Sequence, residues 1–101
     1  MTYSIVYKPY AERDIWEISD SLSDYSVSAA QEFLAKLRKK IAALSEMPHR
    51  FQKISSGQEY RKMVVDKYVV IFLVDEHANQ VFIMRVVHGM RNYQNNVDDF
   101  A

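Results

Sequence analysis

Seven consecutive apolar residues, Tyr68-Val-Val-Ile-Phe-Leu-Val74, constrain this chain more than any other feature. Successive side chains of a β-strand point to opposite faces, so a run with no polar position must be covered on both sides. It reads as a central strand. Two further extended runs flank it, Tyr60–Val65 and Val81–Val87. The first is separated from it only by Asp66-Lys67, short enough for a tight hairpin although Lys is not an ideal turn residue. The second follows the longer connection from Asp75 to Gln80. In Val81–Val87, strict alternation puts Arg85 on the face of Val81 and Ile83, opposite Phe82 and Met84. The chain thus closes with a three-stranded antiparallel meander that empties into a polar cluster of Arg, His, Gly and Tyr.

What precedes the meander is helical. Tyr3–Tyr7 is short, β-branched and aromatic, and Pro9 beyond it suits the first turn of a helix. Ala11, Ile15, Ile18, Leu22 and Tyr25 recur at spacings of four and three, with Glu12, Arg13, Asp14, Glu17 and Asp20 between them, which predicts an amphipathic helix. Trp16 lies beside that seam and is expected to pack into the core. The periodicity breaks at 23–28, and Ser28 with Gln31 forms a candidate capping box that restarts the helix. Ala30, Leu34, Leu37, Ile41 and Leu44, widened by Phe33, make a matching stripe that ends before Pro48. The order predicts an α+β fold: an N-terminal strand, an antiparallel helical hairpin, then the meander completing one small sheet.

With 101 residues, 49% hydrophobic, only two Gly and two Pro, the chain reads as one domain over 1–101, with enough material to bury roughly 60% of its unfolded surface. There is no Cys, which excludes disulfides and thiolate metal sites. No apolar run approaches a membrane span and the start lacks a signal-peptide pattern, so the expected location is cytoplasmic and no membrane partner is expected. Thirteen basic and thirteen acidic residues argue against a protein that holds nucleic acid by bulk charge. Locally the balance differs. Residues 1–24 carry five acids (Glu12, Asp14, Glu17, Asp20, Asp24) against Lys8 and Arg13. Residues 36–62 carry eight bases (Lys36, Arg38, Lys39, Lys40, Arg50, Lys53, Arg61, Lys62) against Glu46 and Glu59. Such a basic stretch suits phosphates or an acidic partner, or is simply a solvated helix face, with Glu32 and Lys36 spaced for an ordinary i,i+4 pair.

Individual polar residues carry competing readings. Arg85 either reaches solvent over an edge strand, pairs with an acid of the first helix, or serves the site. His88-Gly89 is either a strand end, with Gly supplying a positive φ, or part of a reactive rim. Asp75-Glu76-His77 offers oxygen and nitrogen donors, but consecutive turn residues rarely converge on a metal. His49 has no visible partner in the sequence. No Gly-rich phosphate loop, His-Glu-x-x-His helix or Gly-x-Ser-x-Gly elbow is present. No metal or cofactor is expected.

The element order, the Tyr60-Arg-Lys-Met-Val-Val-Asp-Lys-Tyr-Val-Val-Ile-Phe72 run and the closing Arg85-Val-Val-His-Gly-Met-Arg-Asn-Tyr93 run resemble the RelE/ParE superfamily of toxins from bacterial type II toxin–antitoxin pairs. The resemblance spans essentially the whole chain. An Arg in the last strand followed by His88-Gly89-x-Arg91-x-Tyr93 is closer to the ParE branch. RelE-like members cleave messenger RNA on the ribosome, whereas ParE-like members poison DNA gyrase. The resemblance therefore implies a toxin with a cognate antitoxin partner, directed at gyrase through Arg85, His88, Arg91 and Tyr93, with no direct DNA binding unless the antitoxin is present. The alternative within the superfamily is a metal-independent endoribonuclease acting on the ribosome and its message. The candidate catalytic residues are then His88, Arg91, Tyr93 and Arg61. Against that alternative, Val69 follows Tyr68 where the nucleases have an Arg. A non-toxic protein-interaction module of the same fold stands outside both. Whether the chain is an enzyme is left open by the sequence.

Overall fold

The apolar run becomes the inner strand of a four-stranded sheet. The computed structural model describes residues 2–54 and 59–89. Its elements are β1 (Ser4–Tyr7), α1 (Pro9–Ser23), α2 (Val27–Ala42), two short 3-10 turns (Ala43–Ser45 and Pro48–Arg50), β2 (Tyr60–Val65), β3 (Tyr68–Asp75) and β4 (Gln80–His88). The strand order is β1-β4-β3-β2. β2, β3 and β4 form the antiparallel meander, and β1 lies parallel to β4 at the far edge. A parallel pair needs a long crossover. The helical hairpin lies within that crossover, which places both helices against one face of the sheet.

β3 is covered on both faces, as a strand without polar positions requires. On the helical side, Val70 and Phe72 pack with Val81, Ile83, Ala11, Ile15, Leu37, Ile41 and Leu44. On the other side, Val69 and Ile71 pack with Ile54, Tyr60, Met84 and Val87. Each large side chain buried here contributes on the order of 1.5–3 kcal/mol relative to exposure. Among the described residues no helix is long and apolar enough to cross a membrane.

Three expectations from helical spacing are corrected. Tyr25 is 89% exposed, because α1 ends at Ser23 and the spacing beyond it is no longer helical. Trp16 is 67% exposed: it sits about 100° round the helix from Ile15, far enough to leave the buried seam. The helix restart is set by Ser26 rather than Ser28. Ser26 has extended backbone (φ −163°, ψ 122°) and its Oγ accepts the Ala29 N–H at 3.2 Å. Ser28 lies inside α2, its hydroxyl 3.1 Å from that of Ser26. Ser26→Ala is accordingly expected to lower stability by about 1 kcal/mol and Ser28→Ala by much less, compared in urea melts. The reverse ranking would contradict this cap.

Two turns and one irregularity set the sheet's rims. Asp66 takes the left-handed conformation (φ 54°) in the β2–β3 turn, and Asn79 does so before β4 (φ 53°), positions that short polar side chains tolerate. In the β3–β4 ladder Phe72 pairs with Ile83 but Ile71 pairs with Arg85, so Met84 is an extra residue. This β-bulge changes the alternation. Val86 therefore joins the helical-side core while Val87 joins the opposite one.

Candidate functional site

The meander brings one pair of residues together that are far apart in sequence. Antiparallel pairing of β3 with β4 sets Tyr68, the first residue of the central strand, directly opposite His88, the last of β4. The imidazole and phenol rings make a T-shaped pair, centroids 5.6 Å apart at 75°. On its other side Tyr68 meets Phe33 of α2 at 5.1 Å. Three hollows meet at this pair. The largest, about 590 Å³, runs over Val64, Val69, Lys67 and Gly89. A second lies against Asp14, Glu17 and Ser21 of α1, and a third against Leu22, Ala29 and Phe33 of the helical hairpin. The rim thus combines an aromatic centre, an apolar floor and a polar margin of Asp66, Lys67 and His88.

Gly89 closes the rim by close approach. Its N–H donates to the Lys67 carbonyl at 2.8 Å, tying the end of β4 to the β2–β3 turn. A β-carbon at Gly89 would sit 3.3 Å from that same oxygen. Its φ lies outside the left-handed region, so the expectation of a positive φ is replaced by a need for space.

The arginines of the sheet are tied to the fold. Arg85 grips Asp14 of α1 with two bonds, Nε to Oδ2 at 2.6 Å and Nη2 to Oδ1 at 3.0 Å. The same Oδ2 accepts the Val86 N–H at 2.9 Å. Both side chains are largely buried, 16% and 12% exposed. Donating to the Asp14 carboxylate raises the guanidinium pKa above its ordinary value. Of the three readings of Arg85, pairing with an acid of the first helix is the one the structure takes up. Arg61 donates from Nη1 to the carbonyls of His49 (3.2 Å) and Phe51 (2.7 Å), holding the segment that follows the second 3-10 turn. It is also remote from the rim. Arg61 pairs with Phe72, four positions along β3 from Tyr68, or about 13 Å at strand spacing.

The structure therefore brings His88 to the rim, commits Arg85 to the clamp with Asp14, and leaves Arg61 away from the rim. Arg91 and Tyr93 lie outside the described residues. Tyr68 and Lys67 were missed by sequence reasoning. The signal was the register, which can be counted only once β3 and β4 are known to pair from the Asp75–Gln80 turn. Elsewhere, Asp75 Oδ1 caps its own turn by accepting from His77 and Ala78 N–H. Glu76 accepts from the Tyr3 hydroxyl at 3.0 Å, which raises that phenol's pKa, and pairs with His49. His49 thus has the partner that the sequence hid. Lys36 bonds Asp66 across from the hairpin turn.

A small sheet whose first strand lies parallel to its last, a helical hairpin on one face and an antiparallel three-stranded meander make the RelE/ParE-like fold. Residues 5–93 match the family described as the ParE toxin of the type II toxin–antitoxin system parDE. The chain belongs to the ParE toxin family. No curated protein sequence matches it. Among solved structures it is similar to the chromosomal ParDE toxin–antitoxin system of P. aeruginosa, with TM-score 0.75, 14% identity, and coverage of 86% of this chain and 96% of that one. It is also similar to free E. coli RelE carrying two arginine substitutions, with TM-score 0.70, 16% identity and full coverage of both chains (100% and 100%). The RelBE2 toxin–antitoxin complex of Mycobacterium tuberculosis follows with TM-score 0.61 and 20% identity, over 87% of this chain and 99% of that chain. At these identities the likeness is one of fold.

Proposed function

We propose that this protein is a growth-inhibiting toxin that acts in the cytoplasm by poisoning DNA gyrase through the Tyr68–His88 rim and the Arg91–Tyr93 segment after it, and that a cognate antitoxin holds it off. The ParE family match supports the toxin role, and two of the similar solved structures are toxin–antitoxin assemblies. One observation carries the choice of target: the two arginines of the described strands are held by the fold. Cleavage of RNA by its own 2′-hydroxyl needs a base, an acid and cations for the charge that builds on the phosphate. Val69 is 4% exposed and apolar, Arg61 is spent on two carbonyls and Arg85 on Asp14. What the described rim offers is an aromatic anchor in an apolar hollow with a polar margin, the composition of a protein-contact hot spot.

The rival reading draws on the same pair. His88 beside Tyr68 puts an imidazole and a phenol together, and Arg91, Tyr93 and Arg61 would have to complete a nuclease set. Purified protein added to gyrase, ATP and supercoiled plasmid separates the two. Linear DNA released on denaturation is the expected product, with messenger on translating ribosomes left intact. Mapped messenger cleavage without trapped gyrase would overturn the gyrase reading.

A further inference from the structure

One hollow stands apart from the Tyr68–His88 pair, between α2 and β2. Lys36, Lys39 and Lys40 of α2 line it together with Arg50, and Phe51 and Met63 make its floor. Its volume is about 480 Å³ and none of its lining residues is acidic. Small-molecule sites are commonly hollows of roughly 300–1,000 Å³ in which an apolar lining carries a few charged groups. Neither Tyr68 nor His88 takes part in this one.

Three of the four cations have an ordinary structural account. Lys36 is bonded to Asp66, and Lys39 and Lys40 stand in the last turn of α2, where they offset the helix dipole. Arg50 has no such account. It ends the second 3-10 turn, on a separate stretch of chain, and its guanidinium lies over the Phe51 ring, 5.0 Å from the centroid. Phe51 in turn makes a T-shaped pair with Phe72, centroids 6.0 Å apart, and packs against the helical-side core. Arg50 therefore rests on a shelf that is fixed to the sheet. Among the described residues no salt bridge engages Lys39, Lys40 or Arg50. Like charges gathered round one hollow repel, and an anion seated among them relieves that repulsion.

We propose that this hollow binds a nucleoside di- or triphosphate, with the phosphate chain among the cations and the base on the apolar floor. Several negative charges on one short chain match several cations converging from two elements. The lysine ammonium groups take phosphate oxygens as point charges, while the planar guanidinium of Arg50 takes two oxygens at once. Lys36 stays with Asp66, so the phosphates lie toward Lys39, Lys40 and Arg50. A lone inorganic anion would leave Phe51 and Met63 uncovered. A nucleic acid is held by cations set along a track of phosphates, whereas here they surround a single hollow on a chain of zero net charge. The proposal does not depend on the toxin reading.

The test titrates ATP, without divalent cations, into the full chain by isothermal calorimetry at about 0.15 M salt. One molecule is expected to bind with a Kd below about 1 mM. Inorganic tripolyphosphate, which has no base for the floor, is expected to bind about tenfold more weakly, and adenosine not at all. Lys40→Glu and Arg50→Glu are each expected to weaken ATP binding about tenfold or more with the circular dichroism unchanged. Should either variant not fold, amide chemical shifts carry the test on the unaltered protein: ATP is expected to move those of residues 39–51 and to leave Tyr68 and His88 in place. Absence of binding up to about 1 mM overturns the proposal. So does unchanged affinity in both charge-reversed variants, or a shift pattern centred on the rim. Tripolyphosphate binding as tightly as ATP overturns the nucleotide assignment, and a short single-stranded oligonucleotide binding more tightly than ATP overturns it in favour of a nucleic acid.

Discussion

Asp14→Ala is expected to destabilise the protein by about 3 kcal/mol, more than any other single polar substitution in the described structure. Three bonds converge on that carboxylate: two from Arg85 and one from the Val86 N–H. Removing it strands a guanidinium that is mostly out of water and leaves a backbone donor of β4 unsatisfied, itself a loss of about 1–3 kcal/mol. The pair also joins α1 to the strand whose far end carries His88, so its loss loosens the rim's mounting as well as the core. Urea melts of Asp14→Ala, Arg85→Ala and the double variant measure the coupling. The double variant is expected to be less destabilised than the sum of the singles, because no charge is left alone. Simple additivity, or a loss under about 0.5 kcal/mol for Asp14→Ala, would mean that the clamp contributes no more than an exposed surface pair.

Arg91→Ala is expected to abolish growth arrest at equal soluble expression. Arg91 follows Gly89 by two residues and is the second arginine of the closing run, whose first, Arg85, is held by Asp14. Truncating an arginine that anchors a protein contact typically costs about 2–4 kcal/mol, or some thirtyfold to a thousandfold in affinity. Arg61→Ala is the matched control. It loses its bonds to the His49 and Phe51 carbonyls and is expected to lower stability while growth arrest persists. If Arg91→Ala still halts growth, or Arg61→Ala alone fails to while remaining folded, the division between contact and structural arginines is wrong.

How far the sequence spoke depended on whether a property was periodic or relational. β3 was legible because seven apolar residues in a row leave a strand no solvent face, and the helix seams were legible because Ala30, Leu37 and Ile41 repeat at helical spacing. Trp16 and Tyr25 misled for opposite reasons. One lies a single residue off the seam, and the other lies past the point where the helix stops. Ser28 looked like a cap because its partner Gln31 is at the right distance, yet Ser26 reaches the helix first. The parallel pairing of β1 with β4 depends on how the hairpin folds back, which no local pattern encodes. At the site, His88 was legible as a titratable residue after a strand, but its neighbour Tyr68 was not, since their meeting is a matter of register. The partner of Arg85 is 71 residues away, and Asp14 is one of five acids in its stretch of chain. Charge alone did not single it out.

On the gyrase reading the rim contacts a protein of DNA metabolism rather than a message. The most direct measurement is parallel pulse labelling of DNA and protein synthesis within minutes of inducing this chain in bacteria that lack its antitoxin. A fall in DNA synthesis while translation continues is the predicted result. A fall in translation first would contradict the claim and make the Tyr68–His88 rim an RNA-cleaving site that works without a cation at Val69.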